Sequence, residues 1–145
     1  MTRPRRGMTA AQLWVLGLTS VSSLMVALDA LVVTTALPVI RVHLHASLAD
    51  LEWTVNAYVL SLAVLLMTGA ALGDRLGRRR LFAAGMALFT AASAACALAH
   101  NVGWLIAARA VQGAGAAVML AVGLALLSAG FPPEQRPKAL GIFGL

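Results

Sequence analysis

The sequence predicts an all-α integral membrane protein, and three observations carry that reading. Hydrophobic residues fill 61% of the 145 positions, and the mean hydropathy is +0.88. Soluble domains hold roughly 45–50% apolar residues, and so short a chain cannot hide such an excess in one core. Four apolar segments are each long enough to cross a bilayer as a helix, which takes about 20 residues. The charge is also confined: of 11 Lys and Arg and 5 Asp and Glu, five fall in the stretch "GDRLGRRR" at 73–80.

The first span covers about 13–37, and Pro38 is expected to end it, because proline lacks the N–H that would continue the helix. The second covers about 53–73, the third 81–99 and the fourth 104–130. A fifth starts near Ala139 ("ALGIFGL"), where seven residues reach only about 10 Å. Residues 1–12 therefore read as a basic cytoplasmic tail, and 13–145 as a partial N-terminal transmembrane bundle of a longer protein. "TRPRRG" has the look of a signal-peptide start, but the apolar stretch behind it far exceeds a signal core and further spans follow. The first span reads as an uncleaved helix.

The basic residues set the orientation. Nine of them fall on one side: Arg3, Arg5 and Arg6, then Arg75, Arg78, Arg79 and Arg80, then Arg136 and Lys138. The opposite side has only Arg41, beside Asp50 and Glu52. Lys and Arg in short loops mark the cytoplasmic face, so the N-terminus is expected there. Trp53 and Trp104 then fall at the outer interface and Trp14 at the inner one. A pI near 11.4 raises nucleic acid as a partner, but basic residues standing in short breaks without interleaved aromatics exclude it. The single cysteine, Cys96, rules out an internal disulfide framework. His43 and His45 have no evident third ligand, and they read as a solvated loop. No nucleophile–base pair, metal-ligand cluster or phosphate loop is present, so neither an enzyme nor a cofactor is expected.

Within the spans only Asp29 and Arg109 are charged. A charge near a helix centre costs about 2.5–3.5 kcal/mol on insertion scales, so neither side chain is expected to face lipid. Asp29 lies about 12 Å inside its span and Arg109 about 8 Å, both in the outer half, a gap an arginine stem can bridge. Two readings stay open: a protonatable site with a supporting arginine, or a static ion pair joining two helices. Asn56 and Tyr58, near the outer start of the second span, are either substrate contacts or interhelical glue. Small residues in the fourth span, Gly113, Gly115 and Ala117, read as helix packing.

The order of residues in the charged knot adds a resemblance. "GDRLGRRRL" is similar to the loop between the second and third spans of the major facilitator superfamily. Leu72, Asp74, Arg75, Gly77, Arg78 and Arg79 match, while Ala70 stands for its first glycine and Gly73 for its alanine. "LDALVVTTALPVI" at 28–40 resembles the first-span motif of that superfamily's fourteen-span drug:proton antiporters, matching at Asp29, Ala36, Leu37 and Pro38. Leu31 and Thr34 depart from it. "RAVQGAGAA" resembles the fourth-span motif, with Arg109, Gln112, Gly113 and Gly115 in place and Ala121 where a proline is common.

The resemblance implies the N-terminal part of a proton-coupled exporter of small organic molecules in a bacterial plasma membrane. Its partners would be lipid, protons, substrate and a missing C-terminal half. On the protonatable reading Asp29 and Arg109 couple the proton, with Asn56, Tyr58 and Gln112 as cavity candidates, and the resemblance makes Asp74, Arg75, Gly77, Arg78 and Arg79 a gating loop. The knot as a topology signal alone also stays open. The rival functions are a small four-helix dimeric exporter and a non-transporting membrane fragment with a structural or regulatory role.

Overall fold

The computed structural model describes residues 8–143. It contains α1 (Ala10–His43), α2 (Leu48–Leu76), α3 (Arg78–Ala97), α4 (Val102–Gly130) and the short α5 (Arg136–Phe143). No strand occurs among the described residues. The expected tail arginines Arg3, Arg5 and Arg6, and the last two residues of "ALGIFGL", lie outside them. Helices α1 to α4 are each long and apolar enough to cross a membrane.

The helices begin earlier than the apolar runs because polar side chains cap them. Thr9 and Gln12 form a capping box at α1, and Ser47 and Asp50 form another at α2. The second moves the start of α2 back to Leu48, ahead of the apolar run that begins at Trp53. Hydrogen bonds from the Ser47 side chain, then its backbone N–H, hold the exposed Asp50 carboxyl below its ordinary value. Asn101 caps α4 by accepting from the Trp104 N–H at 2.8 Å.

Pro38 does not end α1, contrary to the sequence expectation; the helix runs on to His43 with Pro38 inside it. Proline removes one N–H only, which leaves the Thr34 carbonyl without its helical donor while the rest of the ladder runs on. One turn earlier, Thr34 and Thr35 hydroxyls donate to carbonyls of Ala30, Leu31 and Val32 at 2.8–3.1 Å. Arg41 and His43 in the last turn suit the negative end of the helix dipole. At 34 residues α1 is about 51 Å long, so its ends project beyond a hydrocarbon core of about 30 Å. Helix α5 likewise starts at Arg136, three residues before the expected Ala139, since Pro137 is tolerated in a first turn.

Helix α4 is the centre of the bundle, packed chiefly between α2 and α3, with α1 along a further face. Close approach depends on small residues. A Cβ added at Gly115 would stand 2.7 Å from the Phe89 nitrogen of α3, and one at Gly69 3.3 Å from the Val118 Cα of α4. Ala116, Ala117, Met119 and Val122 are fully buried between the helices. A single residue, Gly77, separates α2 from α3, and its φ of 92° is a conformation side chains rarely adopt.

Three contacts mark the end of the bundle where α1 begins, α2 passes to α3 and α4 ends. Gln12 of α1 donates to the Gly130 carbonyl at 2.9 Å. Arg78, at the α2–α3 junction, donates to the Ala125 carbonyl at 3.0 Å. Arg136 donates to the Phe131 carbonyl at 3.0 Å.

Candidate functional site

Arg109 and Gln112 are three residues apart on α4, so both project from one face of the helix. That face meets α1 at Asp29. Arg109 Nη1 donates to Asp29 Oδ2 at 2.6 Å and to Gln112 Oε1 at 2.8 Å. Gln112 Nε2 donates to Asp29 Oδ1 at 2.7 Å. Both carboxylate oxygens are thereby satisfied, and the pair carries no net charge. The Arg109 side chain is 3% exposed and that of Asp29 13%, so the base is buried and the acid keeps a small exposed surface.

The second helix completes the setting of the cation. The backbones of α2 and α4 touch at Gly113, where an added Cβ would collide with the Tyr58 carbonyl oxygen. That contact brings one face of α2 onto the guanidinium. Arg109 Nε donates to the Thr54 carbonyl at 3.3 Å, and the Tyr58 ring centroid lies 4.2 Å from Arg109 Cζ, a cation–π distance. Helix α3 contributes Cys96, whose Sγ donates weakly to Gln112 Oε1 at 3.5 Å. All four long helices therefore reach one polar cluster inside an apolar bundle.

The structure brings together Asp29, Arg109, Gln112 and Tyr58 among the residues singled out from sequence. Asn56 is exposed and stays outside the cluster, because it lies two residues from Tyr58 and so points off another side of α2. Gln112, expected at a cavity, has no exposed surface. Thr54 was not legible from sequence, since it acts through a backbone carbonyl. A lone Cys96 in the sequence speaks only against a disulfide, and its place beside Gln112 depends on how α3 packs. Gly113, Gly115 and Ala117 lie at the helix contacts.

In the knot, Arg78 Nε and Nη2 donate to Asp74 Oδ1 at 3.0 and 2.8 Å, while its Nη1 binds α4. Asp74, Arg75, Arg79 and Arg80 remain exposed. An apolar cavity of about 510 Å³ opens at this end between α1, α3 and α4, lined by Trp14, Leu18, Arg79, Phe82 and Met86 among others. None of its lining residues belongs to the Asp29–Arg109 cluster.

Apolar helices closing on one buried acid–base pair define a polytopic integral membrane protein. The chain belongs to the Major Facilitator Superfamily, whose sequence profile matches residues 19–145. It is 44% identical over 124 residues to the tetracenomycin C resistance and export protein of Streptomyces glaucescens, covering 86% of this chain and 23% of that protein. It is 42% identical over 137 residues to the multidrug resistance protein Stp of Mycobacterium tuberculosis, covering 94% of this chain and 26% of the relative. A probable actinorhodin transporter of Streptomyces coelicolor is 41% identical over 129 residues, 89% of this chain and 22% of that one. The chain thus spans about a quarter of the length of these relatives.

Proposed function

We propose that this chain is the N-terminal part of a proton-coupled exporter of small organic molecules, with its N-terminus in the cytoplasm. The observation that carries the reading is the Asp29–Arg109 pair, the one ion pair within the spans among the described residues. Intramembrane ionisable groups are functional by default. Asp29 is the only carboxylate inside a span. Its side chain is 13% exposed against 3% for Arg109, and of the two residue types only the carboxylic acid exchanges its proton readily.

Proton arrival at Asp29 replaces an ion pair by a neutral acid beside a cation. The grip between α1 and α4 weakens, and the two helices gain freedom to shift. In a protein with a second helical half, that shift would bias the rocking that exposes the cavity to one side or the other. The names of the relatives, which cover resistance and export of several antibiotics, support small organic molecules as the cargo. The knot would act as the gate, with Asp74 and the free arginines facing the other half. Transport of this kind needs no catalytic residue and no cofactor.

Substrate-induced proton release from proteoliposomes, normalised to folded protein, tests the assignment in the complete transporter. Asp29→Asn is expected to fold and to lose proton-driven export, and Arg109→Ala to impair coupling. A static pair behaves differently. Breaking either partner then lowers the amount of folded protein, by roughly 3–5 kcal/mol of stability, and Asp29→Asn with Arg109→Gln restores expression and transport together. If the double variant still exchanges protons for substrate, Asp29 is not the coupling residue.

A further inference from the structure

Tyr58 is a buried aromatic that the coupling scheme above leaves without a task. It is 7% exposed, with its ring against the guanidinium of Arg109. Its hydroxyl is buried and has no hydrogen-bond partner. An unmatched buried hydroxyl does not hold a ring in place. What Tyr58 offers the cation is the face of the ring.

The contacts of Arg109 differ in how they depend on the proton at Asp29. The bond to Asp29 Oδ2 loses its charge partner when the acid is neutral. The bond to Gln112 Oε1 is also tied to the acid, because the same amide donates to Asp29 Oδ1. A proton on that oxygen competes with the amide N–H and frees the side chain to turn. The Thr54 carbonyl is independent of the proton, but at 3.3 Å it is the longest of the three bonds. The Tyr58 face is independent too, and its attraction grows as the cation is less neutralised.

We propose that Tyr58 is a positioning residue whose ring face holds Arg109 on α4 when Asp29 is neutral, so that proton loading releases α1 without the cation following it. This rests on the reading of Asp29 as the coupling group. The titratable groups around the cation are Asp29 from α1, Tyr58 from α2 and, through Gln112, Cys96 from α3.

The test uses the complete protein in lipid nanodiscs, with Asp29→Asn as the mimic of the neutral acid. Position 58 carries tyrosine, phenylalanine (Tyr58→Phe) or 3,4,5-trifluorophenylalanine, which keeps the ring's shape and strips its face of electron density. Nitrogen-15 NMR follows the Arg109 Nε–H. With tyrosine or phenylalanine the signal is expected to stay ring-current shifted and slow to exchange. With the fluorinated ring, exchange is expected to speed up about tenfold. Unchanged exchange with the fluorinated ring overturns the proposal. Loss of protection with phenylalanine also overturns it, since the hydroxyl would then be the holder.

A second measurement keeps aspartate at 29 and follows the pH profile of substrate-induced proton release. A weaker ring face leaves the cation leaning harder on ionised Asp29, so loading needs more acid. The fluorinated variant is expected to shift the profile about one pH unit toward acid, with Tyr58→Phe unshifted. An unshifted fluorinated variant overturns the proposal. Failure of the coupling reading shows separately, as proton exchange persisting in Asp29→Asn, and leaves the NMR comparison intact.

Discussion

Gln112 of α4 donates to Asp29 at 2.7 Å and accepts from Arg109 at 2.8 Å, so the amide joins the acid and the base a second time. The link is short, fully buried and satisfied at both ends. Two helices are therefore pinned by a closed ring of three side chains rather than by an isolated ion pair. Removing any member leaves the others with unmet polar atoms beside a fully buried amide and a buried guanidinium.

Gln112→Leu is the sharpest probe of that ring. It fills a similar volume but leaves one oxygen of Asp29 and one donor of Arg109 short of a partner. Each unmet group costs about 1–3 kcal/mol, and the expected result is a clear fall in thermal stability in detergent. Gln112→Glu places a second carboxylate beside Asp29, which favours a shared proton at neutral pH. A titration of the folded variant by infrared spectroscopy of the carboxyl bands reads that proton directly. Stability equal to the parent for Gln112→Leu would mean that the amide is incidental.

The acid and the base of this ring were legible in the sequence, because a charge inside an apolar run is expensive and therefore conspicuous. Arg109 and Gln112 fall at helical spacing, so their common face was legible too. Tyr58 was visible as a polar aromatic, but its stacking was not, because it depends on Gly113 letting two backbones touch. Apolar runs located the helices, while their ends were set by Thr9, Ser47 and Asn101 capping groups outside those runs. Pro38 misled for a physical reason: proline removes a single N–H, and the remaining backbone hydrogen bonds carry α1 on to His43.

The α2–α4 contact gives a prediction about packing. Gly113→Ala drives a methyl into the Tyr58 carbonyl, and backbone cannot yield as a flexible side chain can. The expected loss is about 1–3 kcal/mol, with displacement of Tyr58 and Thr54 from the guanidinium. Gly17→Ala is the control, because nothing lies within 4 Å of an added Cβ there. A small gain in stability is expected at Gly17, since alanine favours a helix by about 1 kcal/mol over glycine. Thermal unfolding of both variants in the same detergent checks the contrast. Equal effects would place the close approach elsewhere.

Orientation is checked with a reporter that is active only outside the cytoplasm. Fused after His100, in the turn between α3 and α4, it is expected to be active. Fused after Arg80, at the end where Gln12 and Arg78 contact the last turns of α4, it is expected to be silent. The reverse pattern would invert the bundle and put the knot on the outer face.

The knot itself is expected to have two separable tasks, and Asp74→Asn divides them. Asp74 and Arg78 form an i, i+4 pair with side chains 64% and 38% exposed. Solvent screens such a pair, so its contribution to stability is at most about 0.5 kcal/mol. Arg78 keeps its bond to the Ala125 carbonyl after the substitution, and every arginine of the loop remains. Insertion, orientation and thermal stability are therefore expected to survive. Transport by the complete protein is expected to fall sharply, because the gate proposed for this loop uses the negative charge and not the shape of the side chain. Asp74→Glu, which restores the charge on a longer stem, is expected to recover part of the activity. The measurement is initial efflux rate per folded transporter, alongside the reporter assay for orientation. A normal rate in Asp74→Asn would reduce the knot to a topology signal, and a reversed reporter would show that the acid helps to set orientation as well.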